Sequence, residues 1–196
     1  MKQGTKILII ILSLALLIAA AYFGYKTLSD MYSPDDGNPV TDDSAASAGG
    51  DPSAQRTAAP DFTVLDGDLN EVSLSDMSGK PVIVNFWASW CPPCRSELEL
   101  FDEAYKHYGD RITFMMVNLT DGSRDTVDSV KQFVADSGYS FPVYYDTSFS
   151  GTVAYAVNSI PETVLIDKNG DIVDTQIGAV NERIMRDYVS RLTGSE

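Results

Sequence analysis

The chain has 196 residues and a formal net charge of -14 at pH 7, from 28 acidic and 14 basic side chains. Such a surface repels phosphate, which makes nucleic acid and anionic lipid headgroups poor partners. The only two cysteines are Cys91 and Cys94, so no disulfide framework can be built. With His107 as the single histidine, nitrogen and sulfur ligands are too few for a structural zinc site. We expect neither a metal nor an organic cofactor.

The N-terminal segment is apolar. Lys2 and Lys6 precede an uncharged run over residues 7–25, which as a helix would be about 28 Å long, close to the thickness of a bilayer core. Acidic residues follow, so the positive-inside rule predicts that everything after residue 26 lies outside the cytoplasm. We interpret residues 1–28 as a cytoplasmic tip and a signal anchor in a bacterial cell membrane. The alternative is a signal peptide cleaved near residues 19–21, which would release a secreted protein.

The next segment, residues 29–59, is rich in Asp, Ser, Ala, Gly and Pro and poor in apolar side chains. Such a composition cannot bury enough surface to offset the entropy of ordering, so we predict a disordered acidic linker. Residues 60–196 remain, which is the length of one folded domain.

Within this domain, runs typical of strands and helices alternate. We predict strands over residues 62–65, 71–74, 82–87, 112–119, 143–145, 162–166 and 171–177, and helices over 95–108, 125–137, 152–157 and 181–192. The run over 82–87 is apolar except for Asn85, as in a strand buried on both faces. A glycine turn at residues 66–68 should join the first two strands. The order predicts an α/β domain: a mixed central sheet with helices on both faces and an N-terminal β-hairpin.

The two cysteines occupy the point where a strand meets a helix. Pro92 and Pro93 fit the first turn of that helix, where a missing N–H has no consequence. Helix N-termini stabilise thiolates, whereas a bridge between Cys91 and Cys94 would close too short a loop to be an effective structural staple. The pattern therefore favours redox exchange, with Cys91 as the more exposed attacking thiol and Cys94 as the resolving thiol.

Residues 82–94, VIVNFWASWCPPC, resemble the active-site strand and turn of thioredoxin-fold proteins, and more narrowly of the membrane-tethered TlpA/ResA-like thiol–disulfide oxidoreductases of bacteria. The other matching stretches are residues 60–63, 72–76, 79–81, 160–161 and 164–170. This resemblance implies a thioredoxin fold with an N-terminal hairpin extension. It also implies a cis peptide at Ile160–Pro161 that faces the cysteines and presents the Ile160 backbone to a bound substrate strand. Trp90, next to Cys91, is expected to face the substrate.

Glu97 is the predicted proton acceptor. It lies one helical turn beyond Cys94, and the resemblance places a glutamate at this offset. Burial would raise its pKa toward the working range of a proton relay; the alternative is an ordinary solvated glutamate. The sequence departs from related proteins at Asn85, where thioredoxins carry a buried Asp, and at Glu99, where a helix proline is common. Glu162 follows Pro161, and could lie near the redox cleft or point to solvent.

Three functions remain open at this stage. The first is an extracytoplasmic reductase of disulfides in exported proteins, with a membrane thiol-electron transporter as its reductant. The second is a disulfide-forming oxidase of the same fold, which would need a strongly stabilised Cys91 thiolate. The third is a tethered, non-enzymatic binding module. The resemblance favours the reductase, with apocytochrome c or oxidised surface proteins as its substrate.

Overall fold

The computed structural model describes residues 12–13, 16–20, 22–23, 26 and 57–194. The described residues before 27 are helical and belong to a compact unit of their own. Within the part of the chain described, no helix has both the length and the apolar character needed to cross a bilayer. The predicted anchor over residues 7–25 and the predicted linker over 29–59 lie largely outside the described residues, so both remain predictions.

The domain is a mixed α/β structure, as predicted. Its strands are β1 Thr57–Ala58, β2 Thr63–Leu65, β3 Glu71–Ser73, β4 Val82–Trp87, β5 Thr113–Asn118, β6 Val143–Tyr145, β7 Glu162–Ile166 and β8 Asp171–Ile177. Its helices are α1 Pro92–Tyr108, α2 Val127–Ser137, α3 Ser150–Ala154 and α4 Glu182–Thr193, with a 3₁₀ turn at Leu74–Met77. The strands form one sheet in the order β1-β8-β7-β4-β5-β6-β2-β3.

The centre of the sheet is β4, the strand that leads to the cysteines. It pairs in parallel with β5 and antiparallel with β7, and every residue of β4 and β7 is buried. This explains why β4 is apolar except for Asn85, since neither face of a central strand meets water. The C-terminal end of β4 and the N-terminal end of β7 therefore lie side by side at one edge of the sheet.

Side chains of β4 alternate between two hydrophobic clusters on opposite faces of the sheet. Ile83 and Trp87 pack with apolar side chains of α1, α2 and α4. Val84 and Phe86 pack on the other face, against the N-terminal hairpin and residues of the segment around α3. Helices thus cover both faces, with the three longer ones on the face that carries the cysteines.

The helix boundaries follow their capping residues. Asn181 caps α4 by accepting a hydrogen bond from the Ile184 N–H, which confirms the predicted start. Thr126 caps α2, so this helix begins at Val127, two residues later than predicted. Helix α3 is also displaced, covering residues 150–154 where 152–157 was predicted.

Two local features differ from the sequence-based expectation. A glycine turn was predicted at residues 66–68, but the residue of the β2–β3 turn in the left-handed region is Leu69, with φ of 66°. Strand β1 lies within the predicted linker and pairs antiparallel with β8. A two-residue strand at a sheet edge has no hydrophobic period of its own, so the composition gave no indication of it.

Candidate active site

The cysteines lie at the beginning of α1, directly beyond β4. Cys91 is the N-cap of this helix, and its sulfur accepts a hydrogen bond of 3.2 Å from the Cys94 N–H. Pro92 and Pro93 occupy the first turn, as predicted. The two cysteines are joined as a disulfide. Cys91 is 4% exposed and Cys94 fully buried, so Cys91 is the sulfur that a partner can reach.

A loop before β7 faces the disulfide. The Ile160–Pro161 peptide is cis, as the resemblance implied, and the Ile160 carbonyl oxygen lies 3.7 Å from the Cys91 Sγ. The antiparallel pairing of β7 with β4 brings this loop alongside the cysteines.

Glu97 is buried, with 1% of its surface exposed. Its Oε1 accepts a hydrogen bond of 2.9 Å from Asn85 Nδ2, and its Oε2 accepts one of 2.6 Å from the Val180 N–H. Loss of hydration on burial raises the pKa of Glu97 to about 7, even though both hydrogen bonds favour the charged form. The interpretation of Glu97 as a solvated glutamate is therefore wrong.

Asn85 connects Glu97 to the sheet. The same Nδ2 group donates to Thr163 Oγ1 at 3.0 Å, so both amide hydrogens have acceptors. Among the described residues, Asn85 Oδ1 is buried without a hydrogen-bond partner. An amide does not titrate, which leaves Glu97 as the group of this network that can exchange a proton near neutral pH.

Trp90 is half-exposed beside the disulfide, with 38% of its surface accessible. The Arg124 guanidinium stacks over its ring, 3.6 Å from the ring centroid. Asp121 fixes this arginine through a 3.1 Å contact between its Oδ2 and the Arg124 Nε. Trp87, by contrast, is fully buried in the core, as the sequence suggested.

The loop that carries Arg124 was not identified from the sequence. Within it, Asp125 is fully buried, and its Oδ2 accepts hydrogen bonds of 2.8 Å from the Ser89 N–H and from Asn118 Nδ2. Ser89 Oγ donates to the other carboxylate oxygen. Asp125 thereby joins the turn before Cys91 to the end of β5. One signal was present: neighbouring parallel strands end at the same edge of a sheet, so polar residues after β5 should lie near those after β4.

Three further charged or titratable residues are outside this arrangement. Glu99 and His107 lie on the exposed side of α1. Glu162 is buried, at 5% exposure, so a solvent-facing position is wrong, and burial raises its pKa. It alternates along β7 with Thr163, the residue that contacts Asn85, so its side chain is on the opposite sheet face from Glu97.

Comparison with known proteins identifies the family of this chain. The family model of AhpC/TSA matches residues 56–175. The thiol–disulfide oxidoreductase ResA of Bacillus subtilis is 31% identical over 153 residues, which is 78% of this chain and 83% of ResA.

Solved structures agree with the sequence comparison. StoA from Bacillus subtilis superposes with a TM-score of 0.59 at 27% identity, over 67% of this chain and 98% of StoA. The exposed lipoprotein thioredoxin Etrx1 from Streptococcus pneumoniae gives a TM-score of 0.59 at 30% identity, over 67% of this chain and 99% of Etrx1. This protein is a member of the AhpC/TSA family, and within it a thioredoxin-fold thiol–disulfide oxidoreductase of the ResA and StoA type.

Proposed function

We propose that this enzyme reduces disulfides in exported proteins, using Cys91 and Cys94 as the redox pair and Glu97 as their proton acceptor and donor. The observation that carries the proposal is the buried Glu97 carboxyl, held by Asn85 and Val180 one helical turn beyond Cys94, with a pKa of about 7. A carboxyl with this pKa can take and return a proton at neutral pH, which a solvated glutamate cannot do efficiently.

The reaction consists of two exchanges. In the reduced enzyme the Cys91 thiolate, stabilised at the N-terminus of α1 and by the Cys94 N–H, attacks one sulfur of the substrate disulfide. The substrate's S–S bond breaks, its first sulfur leaves as a thiolate, and Cys91 becomes bonded to the second in a mixed disulfide. Cys94 then attacks the Cys91 sulfur, which releases the second substrate thiolate and forms the Cys91–Cys94 disulfide. The substrate gains two electrons and the enzyme loses two.

Glu97 has its role in the second exchange. The attacking form of Cys94 is the thiolate, and the residue is fully buried away from water, so Cys94 needs a nearby acceptor for its proton. Glu97 lies at position i+3 on the same helix, and helical neighbours at this spacing share a face. When the disulfide is reduced again, the same carboxyl returns the proton.

Substrate binding is assigned to Trp90, Ile160 and Pro161. The Ile160 carbonyl oxygen lies 3.7 Å from the Cys91 sulfur, which supports a role in pairing with the backbone of an extended substrate segment. Trp90 is partly exposed and lines the same cavity as Ile160.

The location proposed is the extracytoplasmic face of a bacterial cell membrane. The apolar run over residues 7–25 would act as the anchor, residues 29–59 as the tether and residues 60–196 as the catalytic domain. The similarity to Etrx1, which is described as an exposed lipoprotein thioredoxin, supports a surface location. Such a domain needs a supply of electrons, for which we propose a membrane thiol-electron transporter.

The test of this function is the pH dependence of mixed-disulfide resolution in single turnovers. The rate should rise through an inflection near pH 7 in the native protein and lose that inflection in Glu97→Gln. Glu99→Gln is the matched control, because Glu99 lies on the same helix but is exposed. An identical pH profile for the native and Glu97→Gln enzymes would remove Glu97 from the mechanism, and a chain that reduces no protein disulfide at all would refute the function.

A further inference from the structure

An open cavity of about 190 Å³ adjoins the redox disulfide. Its lining includes Trp90, Arg124, Phe149 and Ile160. Ile160 is shared with the loop that faces Cys91 and Trp90 is next to Cys91 in the chain, so the mouth of this cavity lies near the sulfur that a substrate would reach. A cavity of about 150 Å³ is sufficient to hold a benzene ring, so one bulky side chain fits here.

The walls of the cavity are mainly apolar. Phe149 is 40% exposed and Trp90 is 38% exposed, and Leu119 and Val157 contribute further apolar surface. Single exposed apolar residues are ordinary on protein surfaces, but here several line one concave site beside the reacting sulfur. Covering them with an apolar side chain would remove this surface from water, which favours binding.

The polar edge of the cavity carries no unpaired charge that would attract an ion. The Arg124 guanidinium is paired with Asp121 and stacked on Trp90. Hydrogen bonds, led by that of the Ser123 N–H, lower the pKa of Asp121 to about 2, so the pair stays ionised and mutually neutralised. A charged substrate side chain would lose hydration without gaining an opposite charge, so the cavity disfavours it.

The wall formed by Arg124 is fixed before any substrate arrives. Asp121 Oδ1 accepts hydrogen bonds from the N–H groups of Ser123 and Arg124, at 2.8 and 2.7 Å. Buried Asp125 then ties this loop to Ser89, two residues before Cys91. A preorganised wall binds a ligand without the entropy loss of ordering a mobile loop.

We propose that this cavity is the specificity pocket of the enzyme: it takes an aromatic or branched aliphatic side chain that lies within three residues of the reacting cysteine in the substrate protein. Phe149, Arg124 and Trp90 form its walls, and Phe149 and Arg124 determine the preference. The inference rests on the proposed reduction of protein disulfides, and it adds the kind of sequence around the cysteine that the enzyme selects.

The test uses synthetic peptides with one internal disulfide. The three positions on either side of each cysteine are varied one at a time, and each position carries Phe in one peptide and Ser in its paired peptide. The full-length chain, reduced and held in detergent, is assayed for kcat/KM on every peptide. At one position at least, Phe should increase kcat/KM by about tenfold or more, the discrimination typical of a hydrophobic pocket. In Phe149→Ala and in Arg124→Ala this Phe/Ser ratio should fall below about threefold.

Val153→Ala is the matched control, because Val153 is 75% exposed, lies four residues from Phe149 and does not line the cavity. It should keep the native ratio. A ratio near one at all positions in the native enzyme, or a ratio unchanged in both Phe149→Ala and Arg124→Ala, would overturn the pocket while leaving the reductase function intact. If the native enzyme reduced neither the peptides nor a small aromatic disulfide, the proposed function would be overturned, and the pocket with it.

Discussion

Glu97→Gln should change how the stability of the oxidised protein depends on pH. Burial raises the pKa of Glu97 from 4.5 to about 7 in the folded domain, whereas the unfolded chain keeps the ordinary value. Below pH 4.5 the carboxyl is protonated in both states and has no effect. Between pH 4.5 and 7 the unfolded chain has lost this proton and the folded domain still holds it, so the free energy of unfolding falls as pH rises. Above pH 7 the loss is complete.

The size of this decrease in the free energy of unfolding follows from the pKa shift of Glu97. A difference of one pKa unit is equivalent to 1.36 kcal/mol, so the full loss is about 3 kcal/mol, of which about 2.5 kcal/mol lies between pH 5 and pH 8. Glutamine cannot ionise, so the free energy of unfolding of the variant should lack this pH-dependent decrease. Any loss of hydrogen bonding to Asn85 or Val180 acts at both pH values and cancels in the comparison.

The assay is denaturant unfolding of the disulfide-bonded, full-length protein at pH 5 and pH 8, followed by the fluorescence of Trp87 and Trp90, the only two tryptophans in the chain. From pH 5 to pH 8 the free energy of unfolding should fall by about 2.5 kcal/mol more in the native protein than in Glu97→Gln. Glu99→Gln is the control, since Glu99 is exposed on the same helix, and it should behave as the native protein does. Equal pH dependence in the native and Glu97→Gln proteins would show that this carboxyl is not shifted by burial.

Three other changes give distinct outcomes. Cys94→Ser should accumulate the mixed disulfide with substrate, visible by non-reducing mass spectrometry, whereas Cys91→Ala should form none. Asn85→Asp places a second carboxyl within hydrogen-bond distance of the first, so the inflection of the resolution rate should move upward by about one pH unit or more. Gly151→Ala should destabilise the domain by about 1–3 kcal/mol, because the new Cβ would lie 2.9 Å from a core aromatic ring; thermal unfolding measures this against Gly67→Ala, which meets nothing within 4 Å.

Much of the fold was predictable because its central elements have strong local signals. β4 is apolar except for Asn85, α1 begins with two prolines, and α4 begins at a capping asparagine. Each signal reports the local environment of the segment, such as burial on both faces or an unsatisfied helix terminus. β1 was missed and α3 was displaced at both ends; both are five residues or shorter, and tertiary contacts determine them.

From the residues themselves, the site was predictable only as far as its members lie near the cysteines in the chain, and the cis peptide at Ile160–Pro161 was predicted from the family resemblance alone. The position of Glu97 could be inferred from helical spacing. The burial that raises its pKa could not, because it depends on elements distant in the chain. One of them supplies the Val180 N–H, 83 residues away, whose hydrogen bond acts in the opposite direction. Arg124 was missed for a similar reason, since its contact with Trp90 depends on how the loop after β5 is tied to the turn before α1.

The most direct test of the central claim is a redox titration of the full-length chain in thiol–disulfide buffers of known potential, with free cysteines counted by alkylation and mass spectrometry. A reductase should show one reversible two-electron transition that involves both Cys91 and Cys94, with a midpoint near that of thioredoxin, about -270 mV. The absence of a reversible transition would contradict redox exchange by this pair, and a midpoint near that of a strong oxidant, about -120 mV, would contradict the direction of electron flow proposed for it.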